Sequence, residues 1–409
     1  MIRPLIFAVV SLFLATGTSA QVFKKHGAWF PVGPNPSAIL AVDVNGDGVP
    51  EIVTADRGRL ADPREAVPAH DQLSLLVRGE GTAYARLHQL SAGFGPYCLS
   101  VAKVDGQKGP AIVVGNFMAP QDRGITLLRN IGDYLFEPLH FGAGGEGLAY
   151  TKMRDGDGLP IFPTPGITAI IVEDLNGDGL EDILATGWSS DVLVFLPGEA
   201  EGYWGPAQIT PAPGGPRDLV LADLDGDGKR DLAVAMYSDH AIALWKGDGT
   251  GAFVETARIG SRGKLPRRIR ASDMNGDGKI DLLVSHRHAD DSVVIFFGDA
   301  PFEFSLSQEI SLQTGKRTIQ FGIEDFLVAD FDADGRSDVA VAAAAANQVD
   351  LFVQDGGKNG VPLAFTREAY SYNEASPHAL CAGDFNSDGK PDIGVALWGA
   401  DSVALLLAQ

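Results

Sequence analysis

Six short stretches of this chain carry oxygen side chains at a spacing that could cage a cation. The fullest is Asp223-Leu224-Asp225-Gly226-Asp227-Gly228-Lys229-Arg230-Asp231, with carboxylates at its first, third, fifth and ninth positions. Four carboxylates this close repel one another unless a counter-ion lies among them. Gly226 and Gly228 permit positive φ, so the backbone can fold tightly and turn alternate side chains inward. The loop offers only hard oxygen donors. Ca²⁺, which takes roughly 6–8 oxygens, therefore suits it ahead of Mg²⁺. The ligand set read from this copy is Asp223, Asp225, Asp227 and Asp231, with the backbone carbonyl of Lys229.

Five further copies keep the chemistry. They offer Asp43, Asn45, Asp47, Val49 and Glu51; Asp174, Asn176, Asp178, Leu180 and Asp182; and Asp273, Asn275, Asp277, Lys279 and Asp281. The last two offer Asp330, Asp332, Asp334, Arg336 and Asp338, then Asp384, Asn386, Asp388, Lys390 and Asp392. Val49, Leu180, Lys279, Arg336 and Lys390 are expected to contribute backbone carbonyls, as Lys229 does. Ala333 and Ser387 replace the first glycine in the last two copies, whereas the second glycine is present in all six. An EF-hand would need a bidentate Glu at its twelfth position and flanking helices. Here that position is Thr54, Ala185, Val234, Val284, Val341 or Val395, and the flanks read as short apolar strands. These are acidic tips of β-hairpins.

The elements that position the loops repeat with them. A Pro/Gly-rich lead-in precedes an apolar strand, the acidic loop, a second apolar strand, a third, and a more variable fourth. In the clearest copy Arg217 to Ala222 and Leu232 to Met236 flank the loop, and Ala241 to Trp245 and Ala252 to Ile259 follow. A seventh unit has the same shape around Lys103-Val104-Asp105-Gly106-Gln107, but Lys103, Gln107 and Ala111 stand where ligands should be. It is read as a unit without metal, with the Lys103 ammonium expected to fill the vacancy. Seven four-stranded units at this spacing predict an all-β, seven-bladed β-propeller. Only two strands follow the last loop, so a strand near Ala28 to Val32 is expected to complete the last blade. The pattern closely resembles the FG-GAP or VCBS repeat over nearly the whole chain after residue 20. That resemblance implies calcium-binding loops of the kind found in the integrin α-subunit propeller and in many secreted bacterial proteins.

Arg3, the apolar run from Leu5 to Ala15, and Thr18-Ser19-Ala20 read as a signal peptide over residues 1–20, cleaved before Gln21. Residues 21–409 are then one propeller domain, secreted or periplasmic and expected to be monomeric, with no membrane span. The formal net charge of −21 argues against a nucleic-acid partner. Most of that acidity sits at the loop positions, so it looks like a requirement of the sites rather than a solvated acidic face. The two cysteines, Cys98 and Cys381, lie in non-adjacent units and are read as buried thiols. Two connections stand out as long: Ala55 to Gln72, and Gly142 to Gly166. The second contains Asp155-Gly156-Asp157-Gly158, read as a turn.

In such a disc the acidic loops share one face with the connections between third and fourth strands. The opposite face collects Tyr97, Trp188, Tyr237, His286, Arg287, His288, Trp398 and the pair Arg267-Arg268. Aromatics beside polar groups suit sugars or peptides. No nucleophile elbow, zinc-protease helix or phosphate loop is present in the sequence, so no catalytic residue is assigned. The sequence is read as an exported calcium-binding propeller that engages a protein or glycan partner on this second face. Its rivals are an extracellular polysaccharide-acting enzyme and a scaffold subunit of an envelope complex.

Overall fold

Apolar runs joined by tight acidic turns can pair only as antiparallel hairpins. In the computed structural model this happens seven times. The model describes residues 9–11, 21–58, 71–104, 106–143, 165–288, 292–312, 322–355 and 362–409. Asp105, Asp155-Gly156-Asp157-Gly158 and most of residues 1–20, for which the sequence carried expectations, lie outside that set. So do the middle of the first long connection and the side chain of His288. Each blade is a four-stranded antiparallel meander; blade four runs Pro216–Ala222, Asp231–Met236, Ala241–Gly247 and Phe253–Gly260. The inner strands of blades one to seven are Pro36–Val42, Pro96–Ala102, Ile167–Glu173, Pro216–Ala222, Lys264–Ser272, Ile323–Ala329 and Pro377–Gly383. Each packs beside the next, and the seventh packs beside the first, so the ring is closed.

The second strands explain why the repeats are so apolar. Asp338–Ala343, for example, is buried along its whole length, and so are its counterparts Glu51–Asp56, Ala111–Asn116, Asp182–Gly187, Asp231–Met236 and Asp392–Leu397. A strand sandwiched between two neighbouring blades has no solvent face, so it reads as a continuous run of Val, Ile, Leu and Ala rather than an alternation. The core is correspondingly divided into seven clusters, one between each pair of neighbouring blades. The cluster between blades seven and one joins Phe385 and Val403 to Ile39 and Ile52. Cys98 and Cys381 lie in two of these clusters as free thiols, and burial pushes both up to about 12.

Three details differ from the plain repeat. Blade three inserts a small hairpin, Gly198–Glu199 with Tyr203–Trp204, and the Trp204 indole donates to the Glu181 carbonyl at 2.8 Å. Phe23–Lys25 and Phe30–Pro31 both pair antiparallel with the last strand, Ser402–Ala408. Val9–Ser11 runs parallel to the outer strand of blade five, Leu306–Ser311. In blade two the Lys103 side chain is exposed, and its amide donates to Glu181 at 2.6 Å. No helix among the described residues is long and apolar enough to cross a membrane.

One irregularity recurs in every blade. The first hairpin carries a register shift at the start of the inner strand, between Pro36 and Ala38, Pro96 and Cys98, Ile167 and Ala169, and Pro216 and Asp218. The same shift falls between Pro266 and Arg268, Ile323 and Asp325, and Pro377 and Ala379. A bulge leaves one residue unpaired and re-aims its side chain. The re-aimed residues are Ser37, Tyr97, Thr168, Arg217, Arg267, Glu324 and His378.

Candidate metal loops and the mouth of the channel

All six acidic loops take one conformation. The second glycine has a φ of 82 to 87°, and its amide donates to the first Asp at 2.8–2.9 Å. Ala333 and Ser387 hold the preceding position at φ 60 and 63°, where the other loops have glycine. The ninth residue, Glu51, Asp182, Asp231, Asp281, Asp338 or Asp392, is buried. One of its oxygens accepts the amide of the loop's second residue at 2.8–2.9 Å. In five loops the other oxygen accepts an amide near the end of the third strand, from Gly198, Gly247, Gly298, Gln354 or Ala408. The ninth acid thus ties the loop to its own blade. Burial raises Glu51 to about 7 and Asp281, Asp338 and Asp392 to about 6, against the lowering pull of those amides.

In two loops the acids converge tightly enough to hold an ion. Asp223, Asp225 and Asp231 bring one oxygen each within 4.8 Å of the others, and so do Asp330, Asp332 and Asp338. These are the two copies with Asp rather than Asn at the third position. Among the described residues they are also the two in which a side-chain cation bonds a loop carboxylate: Lys246 meets Asp225 and Asp227, and Arg336 meets Asp334. In the other four loops the third-position amide stands among the acids instead. Asn45, Asn176, Asn275 and Asn386 lie 2.9 to 3.3 Å from the fifth-position Asp. The donor set of hard oxygens fits a calcium-sized cation.

The opposite face has a different character. At the seven bulges each blade contributes one side chain, six residues before its first loop position. A second set stands six residues after the ninth position: Arg57, Phe117, Trp188, Tyr237, Arg287, Ala344 and Trp398. The two sets meet around the end of the channel. Arg217 of blade four reaches past blade three to bond the Tyr97 hydroxyl of blade two. Its guanidinium also lies 5.0, 5.7 and 5.8 Å from the ring centres of Tyr97, Trp188 and Tyr237. Arg57 lies 5.2 Å from the Tyr97 ring centre and 5.1 Å from that of Phe117. Phe117 stacks on Trp188, and Trp188 meets Tyr237 edge-on. Arg287 donates to the Tyr237 hydroxyl at 3.2 Å, and His378 stacks on Trp398 with ring centres 4.4 Å apart.

Charge around this mouth follows from the packing. Arg267 pairs with Glu324, and the Nε2 of His378 lies 3.1 Å from the same carboxylate. Deeper in the channel Arg268 and Arg270 bridge Asp218 of blade four and Asp325 of blade six. Burial alone would raise the Tyr97 phenol, but Arg217, Arg267, Arg57 and Arg268 bring it down to about 8. Burial lowers Arg217 to about 10 and also lowers Arg57.

The structure thus brings together Tyr97, Trp188, Tyr237, Arg267, Arg268, Arg287 and Trp398, all of which the sequence had placed on this face. It sets His286 apart: that ring is fully buried and packs against Gly263 in the lead-in to blade five. Arg57, Phe117, Arg217, Glu324 and His378 were missed. Counting six residues outward from each loop would have found all of them.

The comparisons agree with this architecture. A model of the FG-GAP-like repeat matches residues 174–234, 223–284, 273–341 and 330–395. These matches join into more than half of the chain, which belongs to the FG-GAP-like repeat family. No curated protein matches the sequence. Among solved structures, BBS1N in complex with ARL6DN superposes with a TM-score of 0.58 at 13% identity, over 93% of this chain and 97% of that one. Streptogramin B lyase gives 0.57 at 16%, over 95% and 98%. The periplasmic gluconolactonase PpgL of Pseudomonas aeruginosa gives 0.58 at 18%, over 84% and 87%. At these identities the likeness is one of fold.

Proposed function

We propose that this chain is an exported recognition propeller whose acidic loops hold structural calcium and whose opposite face engages a protein or glycan partner. The observation that carries the reading is the common geometry of six loops, with acids converging in two of them. Calcium would be held by the first, third, fifth and ninth side chains and the seventh carbonyl of each loop. It would neutralise carboxylates that otherwise face one another. An ion bound only by the folded state adds RT ln(1 + [Ca²⁺]/Kd), about 2.7 kcal/mol per site at a hundredfold excess. Calorimetric melting with calcium and with EDTA tests the reading. A fall of many degrees on chelation supports it, and an unchanged curve after confirmed metal removal overturns it.

A second reading, an enzyme acting on polysaccharide, is favoured by one observation: a low-lying phenol, Tyr97, beside Arg217 at the channel mouth. Two of the similar folds carry enzyme names, a lyase and a lactonase. A screen for unsaturated sugar products separates the readings. Product formed by the natural chain and lost in Tyr97→Phe, with calcium-dependent melting intact, would favour the enzyme.

A further inference from the structure

We propose that the channel mouth opposite the acidic loops binds the carboxylate of an acidic sugar unit, held by Arg57, Arg217 and Arg287 and flanked by Trp188, Tyr237 and Trp398. The proposal deepens the recognition reading, on which it rests for the choice of a glycan partner.

Charge pairing singles out these three arginines. Arg268 and Arg270 are matched by Asp218 and Asp325, and Arg267 by Glu324. Arg57, Arg217 and Arg287 form no salt bridge with any described residue. Among the described residues the mouth therefore carries three more arginines than carboxylates, with Glu324 the nearest acid to all of them, on a chain whose net charge is −21. Taking a charge out of water without an ionic partner is costly, and such a cost is commonly met at sites that serve a ligand. The Nε of Arg57 is buried without a hydrogen-bond partner.

The surroundings narrow the ligand class. The Tyr97 and Phe117 rings lie against the Arg57 guanidinium, and Arg217 spends one N–H on the Tyr97 hydroxyl, so N–H groups of both planar forks remain for an acceptor. A fork of that shape matches a carboxylate through two parallel hydrogen bonds. Trp188, Tyr237 and Trp398 are only half-buried, so apolar ring surface remains for a sugar ring beside the acid. A lone inorganic anion would use the forks and leave those rings idle.

The repeat leaves these positions open to variation, although Tyr97 and Phe117 also join the core between blades two and three. The loops barely vary between blades, and the second strands stay aliphatic. The bulge position nevertheless takes Ser, Tyr, Thr, Arg, Arg, Glu and His in turn, and its companion takes Arg, Phe, Trp, Tyr, Arg, Ala and Trp. Positions that are equivalent in the scaffold, yet carry a different pair of side chains in every sector, are free to meet an asymmetric molecule.

The test is isothermal titration of the calcium-replete full chain with trigalacturonate, a neutral galactose trisaccharide and inorganic phosphate. Trigalacturonate is expected to bind at least tenfold more tightly than the other two, and more weakly as salt rises. Arg57→Gln should weaken it at least tenfold while leaving the ligand-free melting temperature unchanged or a few degrees higher. Arg287→Gln, at a half-buried position, should weaken it as well. Equal binding of the neutral sugar, equal binding of phosphate, or full affinity in either variant would overturn the proposal. So would a melting temperature lowered by Arg57→Gln, which would mark the arginine as structural. Calcium-dependent melting without acidic-sugar binding would sink this proposal alone. Calcium-independent melting would sink the recognition reading and leave the site standing.

Discussion

His378 shows how a single bulge residue can make the whole fold sensitive to acid. Burial lowers its imidazole to about 4, with Glu324 pulling upward and Arg267, Arg57 and Arg268 pushing further down. The unfolded chain therefore binds this proton more readily than the folded one does. Its contribution is intact at neutral pH and is lost as pH falls from about 6.5 to about 4. Glu324, which nearby Arg267 and His378 hold below the usual carboxylate range despite its burial, adds a loss of the same sign on the acid side. His378→Gln is expected to flatten the decline of stability over that window, measured by urea unfolding at a series of pH values. An unaltered slope would mean that the imidazole binds its proton equally in both states and does not contribute.

At the scale of the element, the unit is a hairpin whose tip and root do different work. The tip of blade four is set by Asp223, Gly226 and Gly228, and anchored below by Asp231. Lys246, on the third strand, places its ammonium against Asp225 and Asp227, where a bound cation would compete with it. Lys246→Met should raise calcium affinity at this loop several-fold, read by titration against a variant series in which the other loops are left intact. Weaker binding would instead make the lysine a helper of the loop. Tip chemistry was legible in the sequence because oxygen donors at fixed spacing have few other uses. Root chemistry was only half legible. Tyr97 and Arg267 stood out by type, but Arg217 and Glu324 look like ordinary strand residues until a bulge aims them at the axis. Register shifts leave no residue-type signature of their own, and here only the recurring proline before most of them, such as Pro96 or Pro216, hinted at one. His286 misled for the opposite reason: its type put it among the residues of the partner face, but the neighbouring Gly263 leaves room for the ring inside the blade.

The whole molecule closes on itself through seven equivalent interfaces, so no blade has an independent core. Stability gained at one tip is therefore shared by its neighbours. Chelation is expected to lower a single cooperative transition rather than release blades one by one, visible as one calorimetric peak in both calcium and EDTA. Two resolved peaks would show that the sectors melt separately. The blade count was readable even though blade two lacks the acids, because its strands keep the aliphatic runs that interfaces on both sides demand, as in Ala111–Asn116. The hairpin inserted in blade three and the double pairing of residues 23–31 with the last strand had no such periodic signal.

The two rings of varied side chains have an engineering consequence. Fourteen positions, two per sector, vary on a frame whose assembly is specified mainly by the tips and the second strands. A library randomised at those codons alone would sample new specificities while leaving the hairpin tips and the aliphatic strands untouched, much as an antibody varies its loops on a constant sandwich.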